Sequence, residues 1–136
     1  MAKILANKQL IENALGRSIS ENELSEALPQ IKCVVEHIEG NNVALEITAD
    51  RPDLLSSAGI GRALRAWLDG KRIALAVAAP KDKILVDDNV ASVRPFILAA
   101  RVHDVHVTEA NLKELIQFQE KLHATHGRNR KRVSIG

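Results

Sequence analysis

A chain of 136 residues, 46% hydrophobic and 26% charged, can bury one domain's core, or the core of a small domain plus part of a second. Aromatic content of 2% with no tyrosine argues against a platform that stacks successive bases, and a lone Cys33 cannot form an internal disulfide. No apolar run is long enough to span a bilayer and no signal-peptide core is present, so a cytoplasmic protein is expected. The net charge of +2 is uneven: residues through Asn89 carry 11 Lys and Arg against 13 Asp and Glu, and those from Val90 onward carry 8 against 4.

In chain order, Lys3 to Ala6 reads as a short strand, and Asn7 as the N-cap of a helix from Lys8 to Leu15 that Gly16 ends. Ser20 and Glu23 have capping-box spacing ahead of a second helix, near Glu21 to Leu28, which Pro29 closes. Two short helices in succession allow a helix-turn-helix, but Glu21, Glu23 and Glu26 make the second one acidic, which suits neither groove of DNA. Lys32 to Glu39 and Val43 to Thr48 flank Gly40-Asn41-Asn42, a hairpin signal, with Val43, Leu45 and Ile47 on one face.

Arg51-Pro52-Asp53 makes a corner, because Pro52 locks its own φ and drives Arg51 toward extended geometry. From Ile60 the apolar residues Ile60, Ala63, Leu64, Trp67 and Leu68 fall on one helical face, expected to lie against the hairpin, and Gly70 stops the helix. Gly59 and Gly61 cost about 1 kcal/mol each in a helix relative to alanine, which implies that another backbone, that of the hairpin, comes close there. Asp53 with an arginine partner explains Arg51, Asp53, Arg62 and Arg65 as a structural set.

Residues Ile73 to Ala79 read as a strand or extended segment, Pro80 to Lys83 as a turn, Ile84 to Val86 as a strand and Asp87 to Asn89 as another turn. Val93 to His103 has β character after Pro95. Thr108 caps a helix whose apolar face is Leu112, Leu115, Ile116, Phe118 and Leu122; Gly127 ends it, and Val133 to Ile135 begins a strand. The fold class expected is α+β: a small antiparallel sheet packed with short helices, followed by an incomplete second α+β unit.

Three blocks carry a resemblance. Thr48-Ala-Asp-Arg-Pro-Asp-Leu-Leu-Ser with Gly59-Ile-Gly-Arg-Ala-Leu resembles the N-R-P-D-x-L-S…G-[IL]-A-R-x-L pattern of the phenylalanyl-tRNA synthetase β subunit of archaeal and eukaryotic type, with Asp50 in place of Asn and Gly61 in place of Ala. Val93 to Ala100 and Gln119 to Gly136 are similar to the opening of its B3/B4 editing module. The resemblance implies a B1-like domain over residues 1–89 and the beginning of B3/B4 over 90–136, with the structural motif at Arg51, Pro52, Asp53, Gly59 and Arg62. It further implies a part of the ligase that joins phenylalanine to its tRNA, with the α subunit, a second β subunit (α2β2) and tRNA(Phe) as partners. ATP and Mg2+ serve the whole enzyme. No catalysis is expected from this chain alone.

The remaining chemistry is sparse. Arg128, Arg130, Lys131 and Arg132 form a cluster that either holds RNA phosphates or is a solvated turn. His123 and His126 have a spacing that two imidazoles on one metal can use, but no third ligand is visible, and positive side chains at a helix end are the simpler explanation; no metal site is assigned. Ser56, Ser57 and Ser134 lack a base partner, and no complete phosphate-cradling glycine motif occurs. The alternatives to the ligase reading are a stand-alone RNA-binding adapter using the basic tail, and a protein-interaction module using the apolar patch Leu75 to Ala79.

Overall fold

The computed structural model describes residues 2–72, 74 and 76–136. They fall into two compact units, one formed by Met1–Ile73 with Val107–Gly136 and the other by Ala74–His106. The last helix of the chain packs with the first unit.

The sheet of the first unit has three antiparallel strands, β1 (Ala2–Asn7), β2 (Cys33–Glu39) and β3 (Asn42–Ile47), in the order β1-β3-β2. The central β3 is paired on both edges, and Val43, Leu45 and Ile47 are buried together. The register shifts between Val35 and His37, so β2 carries a bulge.

Helix α1 (Lys8–Leu15) begins where Asn7 Oδ1 accepts from the Leu10 N–H at 3.1 Å and stops at Gly16, φ 91°. Helix α2 (Glu21–Gln30) is capped by Ser20, as its spacing predicts. It runs past Pro29 instead of closing there, because a proline in the last turn removes one hydrogen bond without blocking the residue that follows it. A short 3-10 turn over Pro52–Leu54 leads into α3 (Ser57–Asp69), which starts three residues earlier than the apolar spacing predicts because Ser56 supplies the cap.

One core joins all of these: Ile11, Leu15, Leu24, Leu28, Leu45, Ile47, Leu54, Ile60 and Leu64 are completely or almost completely buried. Ile60 and Leu64 belong to the same core as the buried hairpin residues. Two expectations are corrected. Trp67 is 58% exposed and Leu68 also reaches solvent, so the buried stripe of α3 ends at Leu64. The principal neighbour of α3 is α1, not the hairpin, and α1 pairs with α3 instead of with α2 as a helix-turn-helix would require.

The glycines report the same packing. A Cβ on Gly61 would lie 2.4 Å from the Ile11 carbonyl oxygen and 2.6 Å from Ala14 Cβ, and one on Gly59 would lie 1.9 Å from the Asp53 carbonyl oxygen. Close backbone approach is therefore the reason for both, but the approaching segments are α1 and the corner.

Helix α4 (Glu109–Ala124) is capped by Thr108 and lies along the outer edge of β1, where the Gln117 side chain both accepts from the Leu5 N–H (3.0 Å) and donates to the Leu5 carbonyl (3.2 Å). An amide so placed completes the hydrogen bonding of an edge strand. Glu114 accepts from the Ser57 N–H at the start of α3. Of the expected apolar face, Phe118 and Leu122 pack against the core while Leu112, Leu115 and Ile116 are exposed.

In the second unit the expected strands at Ile84 to Val86 and Val93 to His103 do not form; the described residues contain one 3-10 turn, Asp88–Val90, capped by Asp87. A strand is stable only where a neighbour satisfies its N–H and C=O groups, and none is present in this unit. The expected segment from Ile73 to Ala79 lies partly outside the described residues.

Candidate functional site

The corner is held by one arginine. Arg51 donates through Nε and Nη2 to the two Asp53 oxygens at 2.9 and 2.7 Å, and through Nη1 to the Ile31 carbonyl at 2.9 Å. This fork ties the 3-10 turn to the end of α2. Arg62 and Arg65, which share the sequence motif, form no hydrogen bond in this fork: Arg62 is exposed and adds only its charge to the field on Asp53, and Arg65 lies beside Gly16. Asp50, standing where the family pattern has Asn, pairs with Lys32 at 2.6 Å, and that hydrogen bond holds its carboxyl down at about 2.

The Arg51 hydrogen bond likewise holds Asp53 below the usual carboxylate range against the opposing effect of burial, and the charges of Arg51 and Arg62 add to it. A depressed folded value stabilises the fold above the unfolded carboxyl's pKa of about 4 and loses that contribution as pH falls through the folded value. Asp53→Asn should therefore lower the urea midpoint at neutral pH and converge with the parent chain in acid. Parallel curves at every pH would show that the fork contributes nothing.

Beside the corner is an open groove of about 800 Å3. It is lined by Arg62, Ala63, Ala66 and Trp67 of α3, by Arg72 just beyond that helix, and by Gln30, Ile31, Arg51 and Asp53. Residues 62 and 66, like 63 and 67, are one helical turn apart, so α3 presents small and large side chains to one side. The motif residues Arg51, Asp53, Gly59 and Arg62 all line this groove. Sequence reasoning placed Trp67 in the core and did not single out Gln30 or Arg72. The available signal was the position of Trp67 beside Leu68-Asp69-Gly70, in the last turn of α3, where a helix leaves the core.

The four cations of the basic cluster share one turn after α4. Arg128, Asn129 and Arg130 have φ of 49°, 55° and 64°, three consecutive left-handed residues without a glycine. Each costs about 1–2 kcal/mol unless its surroundings hold it. The restraints are visible: the Arg130 N–H donates to the His123 carbonyl, the Arg132 N–H donates to Gly127 O at 2.9 Å, and the Arg130 guanidinium pairs with Glu120. The side chains of Arg128, Lys131 and Arg132 are exposed. Gly127 does not end the helix, which stops at Ala124; it sits buried where a Cβ would lie 2.6 Å from Val133 O.

The two histidines do not converge. His123 is buried, with Nε2 accepting from the Ile135 N–H at 2.8 Å and Nδ1 facing Glu120 at 3.4 Å, while His126 is exposed. This use of the Ile135 backbone, together with the bond from Gln119 to Ile135 O, replaces the expected strand at Val133 to Ile135. Among the described residues no group of three or more His, Cys, Asp or Glu side chains is placed to hold a metal ion. Cys33 is buried in the core, and desolvation pushes its thiol up to about 12, so it is not a nucleophile. No helix among the described residues is long and apolar enough to cross a membrane.

No family model matches the chain. It is 41% identical over 139 aligned positions to the phenylalanine–tRNA ligase beta subunit of Saccharolobus solfataricus and 36% identical over 141 to that of Methanocella arvoryzae. Both alignments take in 100% of this chain, and it spans 24% and 25% of those relatives' length. Among solved structures, an N-terminal fragment of the phenylalanyl-tRNA synthetase beta subunit from Pyrococcus horikoshii superposes with a TM-score of 0.80 at 29% identity, covering 95% of this chain and 39% of the other. Agreement in sequence along the whole chain and in the α+β fold leads to one assignment: the chain belongs with the phenylalanine–tRNA ligase beta subunits, as a region equivalent to about a quarter of their length.

Proposed function

We propose that this chain is a non-catalytic scaffold region of phenylalanine–tRNA ligase, which joins phenylalanine to its tRNA in the cytoplasm with ATP and magnesium. In this reading its neighbours are the α subunit and a second β subunit, and its B1-like part, residues 1–89, precedes the start of an editing module at 90–136. The observation that carries the reading is relatedness to the beta subunits along the entire chain, together with the shared fold. Among the described residues no acidic or imidazole group of sufficient size is assembled to fit a magnesium ion. In this reading ATP and magnesium serve the enzyme as a whole.

The region lies near tRNA through Arg128, Lys131 and Arg132, with Arg130 fixing the turn that displays them. Guanidinium and ammonium groups on a preformed turn match phosphate oxygens without further ordering. Binding of tRNA(Phe) should weaken linearly in log affinity against log salt, with a slope of about −0.7 to −0.9 for each phosphate neutralised. Substituting Arg128, Lys131 and Arg132 together by alanine should reduce that slope by about 2–3. An unchanged slope would remove the turn from the RNA contact and favour a purely structural role.

A further inference from the structure

We propose that the groove between α3 and the Arg51–Asp53 corner docks an acidic segment of a partner protein, with an aliphatic side chain seated on Trp67 and carboxylates on Arg62 and Arg72. The proposal does not depend on RNA contact by the basic turn, which lies on a different element.

Three observations converge on it. Trp67 is the sole tryptophan, stands more than half exposed, and lines the groove together with the half-buried Ala63 and Ala66. Arg62 and Arg72 line the same groove and are exposed, and among the described residues neither forms an ion pair within salt-bridge distance, Arg62 acting on Asp53 through its charge alone. The Asp53 carboxylate, also in the lining, is already neutralised by the Arg51 fork, so it does not repel an incoming acid. Tryptophan and arginine on a recessed surface are the side chains that dominate protein interfaces, and an arginine fork matches a carboxylate.

Charge decides between a protein and a nucleic acid. Residues 1–73 carry nine Lys and Arg against ten Asp and Glu, so this stretch lacks the net positive charge that binding a polynucleotide's phosphates calls for. One ring also gives no run of stacking sites.

The test is selection of a random twelve-residue peptide display library on the immobilised chain, with counter-selection on Arg62→Glu/Arg72→Glu. An enriched peptide is then synthesised and titrated while the fluorescence of Trp67 is followed; with no tyrosine in the chain, the signal comes from the groove. Enriched peptides should carry at least two Asp or Glu around Leu or Ile and shift the Trp67 emission saturably. Arg62→Ala and Arg72→Ala should each weaken binding about tenfold with unchanged far-UV circular dichroism, a loss of the size expected for one charge-assisted contact. Four results would overturn the proposal: enrichment without acidic residues, equal recovery on the double variant, a saturable shift with oligouridylate in place of peptide, or a shift produced by raising the concentration of the chain alone.

Discussion

Gly61→Ala is expected to destabilise the fold by about 1–3 kcal/mol, although alanine is the better helix former by about 1 kcal/mol. The sign follows from what surrounds the position. A Cβ there meets the Ile11 carbonyl oxygen at 2.4 Å, Ala14 Cβ at 2.6 Å and the Leu15 nitrogen at 3.0 Å, all of them part of α1. None can move aside like the end of a flexible side chain, so α1 and α3 must separate. Separation would loosen Ile11, Leu15, Ile60 and Leu64 together, since all four are buried in one cluster. A urea titration of parent and variant measures the effect. If the variant were more stable, propensity would outweigh contact and the close approach of the two helices would be wrong.

Leu64→Ala should cost about 2–5 kcal/mol, as expected when a leucine is removed from a fully enclosed site. Trp67→Ala, one helical turn later, should change stability by no more than about 0.5 kcal/mol, the range of surface substitutions that break no special feature. Circular dichroism at 222 nm is the appropriate readout, since the second substitution removes the only tryptophan. The contrast is the sharpest test of where the core of α3 ends. Equal losses at the two positions would return Trp67 to the interior and close the groove proposed as a docking site.

Much of the fold can be read directly from local residues. Asn7, Ser20 and Thr108 each accept from the N–H three residues on, and Gly16 and Gly70 adopt the left-handed geometry that stops α1 and α3. Such signals act within one helical turn and need no knowledge of distant neighbours. The hairpin was legible for the same reason, because alternation at Val43, Leu45 and Ile47 surrounds a turn-forming pair of strands. The candidate site was legible only in part. Arg51, Pro52 and Asp53 announced a corner, but that Arg51 also reaches the Ile31 carbonyl, 20 residues away, has no local signature.

By itself, then, the sequence determined where α1, α2 and α4 start and where α1 and α3 stop, which strands form the hairpin, and the kinship to the beta subunits carried by the Arg-Pro-Asp corner and the glycine-rich start of α3. Tertiary structure decided which helix the glycines admit, that Trp67 faces out, and that the segments from Ile84 to Val86 and Val93 to His103 stay unpaired. It also decided that Arg128, Asn129 and Arg130 bend left-handed around the end of α4. The physical reason is common to all of these. Caps and turns are satisfied by groups a few bonds away, whereas exposure, sheet pairing and backbone strain depend on partners brought close only by the folded chain.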